Sequence, residues 1–441
     1  MSTESDKLDL NDLPRDVPAA AARSAAPRTL LPLFVLFGSL YFVQGIVEPT
    51  AGLPSQPVRS QLYDWGQTAG QVGIFFWFIG IPWMLKPLFG LVSDFLPIGG
   101  LRRRPYLILS TALAAVGFVA VAFFWTGSDR LTLALAAWLL LGVCVGLAFT
   151  DVVVDALAVE IGQPLGLTGQ MQSVQWGAMS AATILGGTLA GLVATNHWLR
   201  PAMLGCGILA AGSLVVVLAV VKEPRQASDP AENLRLAWRQ LASGRRLAVL
   251  ASVAAYLFLW NFNPFSSNVL QHYSTEVLHF SEQFYGNLYS LQAIAQLLAC
   301  IAYFCFCRRI PFAWLVHGSI AAGILSTLCY LPMHDAGTAV AASIAFGLTY
   351  QTATLIQLDL AARVCPTQAA ATIFALLMAI SNAGISAADA VSGVWYDGLS
   401  AHWLGNRHAA FDALVLIGAS FTAGCWLLVP VMRWAGGASR E

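Results

Sequence analysis

The sequence predicts an all-α, polytopic membrane protein with twelve transmembrane helices in two halves of six. Three observations carry this prediction. First, the 441 residues are 57% hydrophobic and only 10% charged, with a mean hydropathy of +0.68, whereas a soluble domain carries about 25% charged residues. Such a chain cannot cover a core of its own size with a charged surface, so its solvent is largely lipid. Second, twelve apolar segments have the length of about 20 residues that crosses a bilayer. Third, the longest polar break, Lys222 to Arg246, leaves six of these segments on each side.

In chain order the segments are 30–57, 69–93, 105–126, 131–160, 168–195 and 198–221, then 247–271, 282–307, 311–332, 337–362, 367–396 and 409–434. Those at 131–160 and 367–396 are long enough to tilt or to project from the lipid. Residues 1–29 carry Asp6, Asp9, Asp12 and Asp16 and no apolar core, unlike a secretory signal. They read as a disordered cytoplasmic tail. A plastid transit peptide is the less favoured reading, because such peptides are poor in acidic residues. Residues 222–246 read as a cytoplasmic linker, in which Glu232 to Leu241 is either a short surface helix or solvated chain. Residues 435–441 close the chain as a second cytoplasmic tail.

Orientation follows from Lys and Arg in the connections. With the N-terminus cytoplasmic, eighteen of these residues fall on the cytoplasmic side and four outside, Arg59, Arg130, Arg200 and Arg407, while Lys86 alone lies within a span. The split supports an even number of spans and a multi-pass protein of the cell (inner) membrane with both termini inside. Arg102, Arg103 and Arg104 read chiefly as anchors of this orientation.

The halves carry a weak internal repeat. Leu40 to Pro49 and Tyr256 to Pro264 are each an aromatic run interrupted by a polar residue and then proline. Gly146 to Pro164 and Gly347 to Pro366 form a second matched pair. Helices broken at matching places in repeated halves point to a transporter whose site lies between them.

Charge within a span costs about 2.5–3.5 kcal/mol at the helix centre, so such residues face the bundle interior and have partners. They are Glu48, Lys86, Asp151, Asp155, Glu160, Asp359, Asp389 and Asp397. Asp151 and Asp155 are four apart, on one helical face. At about 1.5 Å per residue, Asp151 lies about 30 Å along its span and Lys86 about 25 Å along the preceding inward span. Lys86 is therefore level with the two aspartates and is expected to pair with them, as a gate and proton-coupling pair or as a static ion pair. Asp94, with Gly90 one turn before it, is a candidate latch, since glycine permits close helix contact. Glu48 precedes Pro49, whose ring frees a backbone carbonyl and bends the helix. That bend faces a cavity with a substrate or proton role, or the watery outer mouth.

Gln44, Gln175, Trp176, Trp260, Asn263 and Asn382 add amide and aromatic groups, the mixture that a planar, amide-rich ligand requires. The eight cysteines are scattered, and Cys305 and Cys307 lack zinc or thioredoxin spacing. No metal signature, nucleophile elbow or phosphate loop is present, so no enzyme activity, metal or cofactor is expected. The formal net charge is zero, which gives no electrostatic case for nucleic acid. The expected partners are the bilayer, a small-molecule substrate and a proton or other coupling ion, with the protein a monomer.

Four blocks together resemble the folate–biopterin transporter family of the major facilitator superfamily. They are Tyr41 to Gly45; Pro82-Trp83 through Lys86-Pro87-Leu88, Gly90, Ser93-Asp94 and Arg102 to Tyr106; Asp151 to Glu160 with Gln172-Ser173 and Trp176-Gly177; and Ala361 to Pro366 with Phe374 to Met378, Ile380 to Asn382 and Gly384. The chain departs from the family pattern at Ile161 to Pro164 and at Glu48-Pro49. The resemblance implies the major facilitator fold, alternating access, and proton-linked import of a folate or pterin-like compound. Another cargo (nucleoside-like, a peptide or a cell-wall fragment) and a non-transporting membrane assembly factor are the alternatives.

Overall fold

The computed structural model describes residues 27–430 except 68, 126–129, 222, 224–243, 266–268, 271–272, 367–368 and 404. Residues 1–26 of the predicted tail, the possible linker helix and the C-terminal tail lie outside these residues. The described chain is almost wholly helical: α1 Pro27–Val47, α2 Ser55–Asp64, α3 Ala69–Met84, α4 Lys86–Phe95, α5 Arg104–Phe124, α6 Arg130–Leu165, α7 Thr168–Thr195 and α8 Leu199–Val220, then α9 Gly244–Asn261, α10 Glu282–Phe306, α11 Phe312–Leu328, α12 Ala336–Val364, α13 Ala370–His402 and α14 Arg407–Gly424. Among the described residues nine helical stretches are long and apolar enough to cross a membrane. Shorter apolar helices at Leu33–Val47, Arg246–Asn261 and Ala313–Leu328 stand where three more spans are predicted, consistent with twelve.

Prolines explain where the helices depart from the predicted segments. The segment 30–57 is not one helix. Pro49 offers no N–H, α1 stops at Val47, and the Leu53 N–H turns back to the Ile46 carbonyl at 2.8 Å before α2 begins. The segment 69–93 breaks at Leu85, because Pro87 cannot donate and its ring crowds the Trp83 carbonyl. Lys86 and Pro87 thereby become the first two residues of α4. The segment 247–271 ends its helix at Asn261, three residues before Pro264. The connection from α4 to α5 is a tight reversal. Gly99 and Gly100 take positive φ of 62° and 79°, which a side chain would disfavour, and Ile98 and Leu101 exchange backbone hydrogen bonds of 2.9 and 3.1 Å.

The first eight helices pack chiefly on one another, with α5 against α6 and α8, and α1 against α7. The last six do the same, with α12 against α10 and α11, and α9 against α13. The halves meet where α7 lies along α10 and α4 along α13. Two apolar clusters belong to the first half and one to the second. A fourth crosses the interface, joining Val152, Ala156 and Val159 of α6 to Tyr303, Leu355 and Phe374. Leu109, Val116 and Ile208 are 58–72% exposed, the pattern of helices whose outer faces meet lipid.

Candidate functional site

Four of the charged residues of the spans, Glu48, Lys86, Asp151 and Asp155, come together in a cavity of about 330 Å³ between the halves. The break at Leu85 places Lys86 on its wall. Lys86 Nζ lies 2.7 Å from Asp151 Oδ2 and 4.5 Å above the centre of the Trp83 ring. The side chain of Asp151 is 5% exposed, and its other oxygen accepts from Gln44 Nε2 at 2.8 Å. One helical turn on, Asp155 accepts the Tyr41 hydroxyl and, at 3.4 Å, Gln175 Nε2. The two aspartates therefore do not share the lysine. Lys86 serves Asp151, while Asp155 is held by neutral donors. Glu48 lines the opposite end of the cavity, where the Thr50 N–H and hydroxyl cap its carboxylate.

The remaining predicted substrate residues divide between two places. Gln44, Trp176 and Asn382 line the charged cavity. Trp260 and Asn263 line a second cavity within the last six helices. Gln175 lines neither, and its contribution is the bond to Asp155.

At the arginine-rich end the halves are clasped shut. Asp94 is buried at the end of α4. Its Oδ1 accepts from Arg103 Nη2 at 2.6 Å, and its Oδ2 accepts the N–H and hydroxyl of Thr372, in the first turn of α13, at 2.8 and 2.6 Å. A Cβ on Gly90 would lie 2.7 Å from the Ala371 backbone, so this approach needs glycine. The three arginines do more than anchor the chain. Arg103 is 1% exposed and also binds Ser93 and, at 2.6 Å, Glu160. Burial works against its charge, but Glu160 and Asp94 outweigh that and raise its pKa above the ordinary arginine value. Arg102 adds a 3.0 Å bond to Glu160. Glu223 receives the backbone N–H groups of Arg102, Arg103 and Arg104 at 2.8–3.0 Å, placing a carboxylate at the start of α5, where the helix dipole favours it.

A second carboxylate, absent from the predicted site, mirrors Asp94. Asp359 in α12 is held by Arg363 one turn on, at 3.0 Å through both oxygens. It accepts the hydroxyl of Thr168, the first residue of α7 in the other half. Tyr303 of α10 adds a 3.3 Å bond. Gln163 bonds across to the Ala362 and Cys365 carbonyls beside it. Each half thus presents one arginine-held aspartate to a threonine at a helix start in the other. Asp359, the one charge within the segment 337–362, and the i,i+4 arginine were visible in the sequence; the facing threonine was not. The cavity runs from Lys86 and Asp155 toward the turn at Glu48 to Gly52, away from these clasps.

The fold is that of the major facilitator superfamily. The human organic anion transporter MFSD10 (TETRAN) superposes with a TM-score of 0.66 over 91% of this chain and 99% of its own, at 19% identity. The folate-biopterin transporter of Synechocystis sp. is 30% identical over 397 residues, covering 86% of this chain and 76% of that protein. Probable folate-biopterin transporter 6 of Arabidopsis thaliana is 26% identical over 393 residues, covering 82% and 72%. The BT1 family model matches residues 62–432, which include α3 to α14 and every clasp residue described above. The chain is a multi-pass membrane protein and belongs to the BT1 family.

Proposed function

We propose that the protein is a secondary transporter that imports a folate or pterin-like compound by alternating access, driven by protons. The names of its relatives supply the cargo class. The observation that carries the mechanism is the trio of Lys86, Asp151 and Asp155 in a cavity between the halves. One lysine neutralises one carboxylate. The other carboxylate has only neutral donors, and an unpaired buried charge is costly. A proton taken up with the cargo removes that cost and frees the pair to rearrange. With the arginine-rich end cytoplasmic, the clasps of Asp94 and Asp359 hold the inner end closed while the cavity faces outward.

The test is uptake by proteoliposomes of labelled folate and of labelled biopterin, with and without an inward proton gradient. Accumulation above equilibrium that collapses with a protonophore is expected. Equilibration unaffected by the gradient overturns proton coupling. Uptake of neither compound overturns the cargo.

A further inference from the structure

The second cavity differs in kind from the charged one. It has a volume of about 240 Å³ and lies wholly among the last six helices. Its wall is aromatic, with Trp260, Tyr285, Tyr289, Tyr330, Phe346 and Tyr350 among its rings. The Phe346 and Tyr350 rings stack at 4.9 Å, and Trp260 leans on Tyr350 at 5.7 Å. Tyr285, Tyr289 and Gln292 are spaced to share one face of α10. Among the described lining residues none is charged at neutral pH, whereas the inter-half cavity is lined by Glu48, Lys86, Asp151 and Asp155.

The polar groups of this cavity fall into two sets. Asn263 is committed to the fold, donating to Thr327 Oγ1 at 2.8 Å and accepting from the Phe265 N–H at 3.0 Å. Trp260 donates to the Ser319 carbonyl at 3.3 Å. By contrast, neither the side-chain amide of Gln292 nor the hydroxyl of Tyr330 has a hydrogen-bond partner among the described residues. Both residues line the cavity, so their polar groups are open to a hydrogen bond from a guest there. An amide and a phenol together offer donors and acceptors to the edge of a ring that lies against aromatic faces.

We propose that this cavity is a ring-binding subsite that takes an uncharged, planar, fused heteroaromatic ring of the pteridine class. The inference rests on the cargo reading above and adds where the ring lodges. A charged end has no counter-ion there and stays outside. The volume falls below the roughly 300–1,000 Å³ of sites that enclose a whole drug-sized ligand, so it suits the ring of a longer molecule. The two cavities are neighbours along α13. Asn382 lines the charged one and Ile385 the neutral one, three residues or about 4.5 Å apart by helical rise. Asn261, on the wall of the neutral cavity, bonds to Ser381 and Gln357 at 2.9 and 3.2 Å between them. A longer molecule spans both only when these bonds of Asn261 give way.

The experiment is titration of the purified full-length protein with biopterin, whose own fluorescence quenches when its ring stacks on an aromatic side chain. Tyr289→Ala and Gln292→Ala should each weaken binding about tenfold or more, as expected for losing one stacking or hydrogen-bonding partner of a desolvated ligand. Tyr289 is 59% exposed, so its truncation spares the packed interior. Tyr289→Phe keeps the ring and should restore affinity. Thr183→Phe, which adds bulk to the wall of the charged cavity, should leave biopterin affinity unchanged. If Thr183→Phe abolishes binding while Tyr289→Ala and Gln292→Ala do not, the ring lies in the charged cavity; the subsite is overturned and the cargo reading stands. If adenosine binds and depends on Tyr289 and Gln292 while biopterin does not bind, the cargo reading falls and the neutral ring site stands. Binding of neither ring overturns both.

Discussion

Replacing Thr372 by valine tests what holds the arginine-rich end shut. Valine has nearly the same shape and removes one atom of consequence, the hydroxyl that donates to Asp94 Oδ2 at 2.6 Å. The Thr372 N–H bond at 2.8 Å and the Arg103 bond at 2.6 Å remain. A hydrogen bond to a charged group contributes about 1.5–3 kcal/mol. If it exists only in the closed form, its loss raises the open-to-closed ratio by about 10- to 150-fold. Cys365 reports on this without any engineered probe. It is 3% exposed, its carbonyl accepts Gln163 across the interface at 2.8 Å, and a maleimide reaches it only when that end opens. Of the eight free cysteines Cys305 alone is exposed, so the parent protein carries Cys305→Ser and labelled sites are assigned by mass spectrometry. When opening is fast relative to labelling, the rate at Cys365 follows the open population, and it should rise by that factor. Thr168→Val, which strips the hydroxyl from Asp359, should act alike. The double variant should show the product of the two effects, since the carboxylates share no partner. Labelling of Cys365 at the parental rate in both single variants would refute the clasp.

Two further outcomes follow from the same geometry. Lys86→Met strands Asp151 in a site where its side chain is 5% exposed. Breaking a buried pair costs about 3–5 kcal/mol, so melting in detergent should fall markedly, recover largely on adding Asp151→Asn, and leave uphill accumulation lost in both variants. Full uphill transport by Lys86→Met would remove the lysine from the coupling step. Gly90→Ala places a methyl 2.7 Å from the backbone of Ala371, which no rotamer change relieves. It should hold α4 off α13 and speed Cys365 labelling with little effect on the charged cavity. Unchanged labelling would show that the two helices slide to accommodate it.

The depth of Lys86 and Asp151 was legible because charge is scarce in the spans and helical rise is fixed. Two residues on neighbouring segments could be levelled by counting. The break at Leu85 was also written in the chain, since Pro87 must disrupt a helix, yet an apolar run conceals where a helix stops and restarts. Partner choice was less accessible. Asp155 was expected to share the lysine, but Tyr41, 114 positions away, takes it instead, and no local pattern announces such a contact. Thr168 and Thr372 are ordinary hydroxyls in sequence. Only packing turns them into the receiving ends of Asp359 and Asp94. Arg103 looked like an orientation signal because three consecutive arginines satisfy the charge bias at a membrane surface. What sets Arg103 apart is its burial against Asp94 and Glu160.

The helix break beneath Lys86 has an electrostatic consequence. A helix start carries a partial positive charge of about half an elementary unit, which disfavours a cation by about 0.3–1 kcal/mol. Lys86 is the first residue of α4, so its ammonium sits at the end of the helix that repels it, and Pro87 beside it offers no N–H. Asp151 therefore restrains a cation that its own helix pushes outward. Once that carboxylate lets go, the macrodipole and the lysine present the same sign to the cavity, and an arriving anion meets both at once.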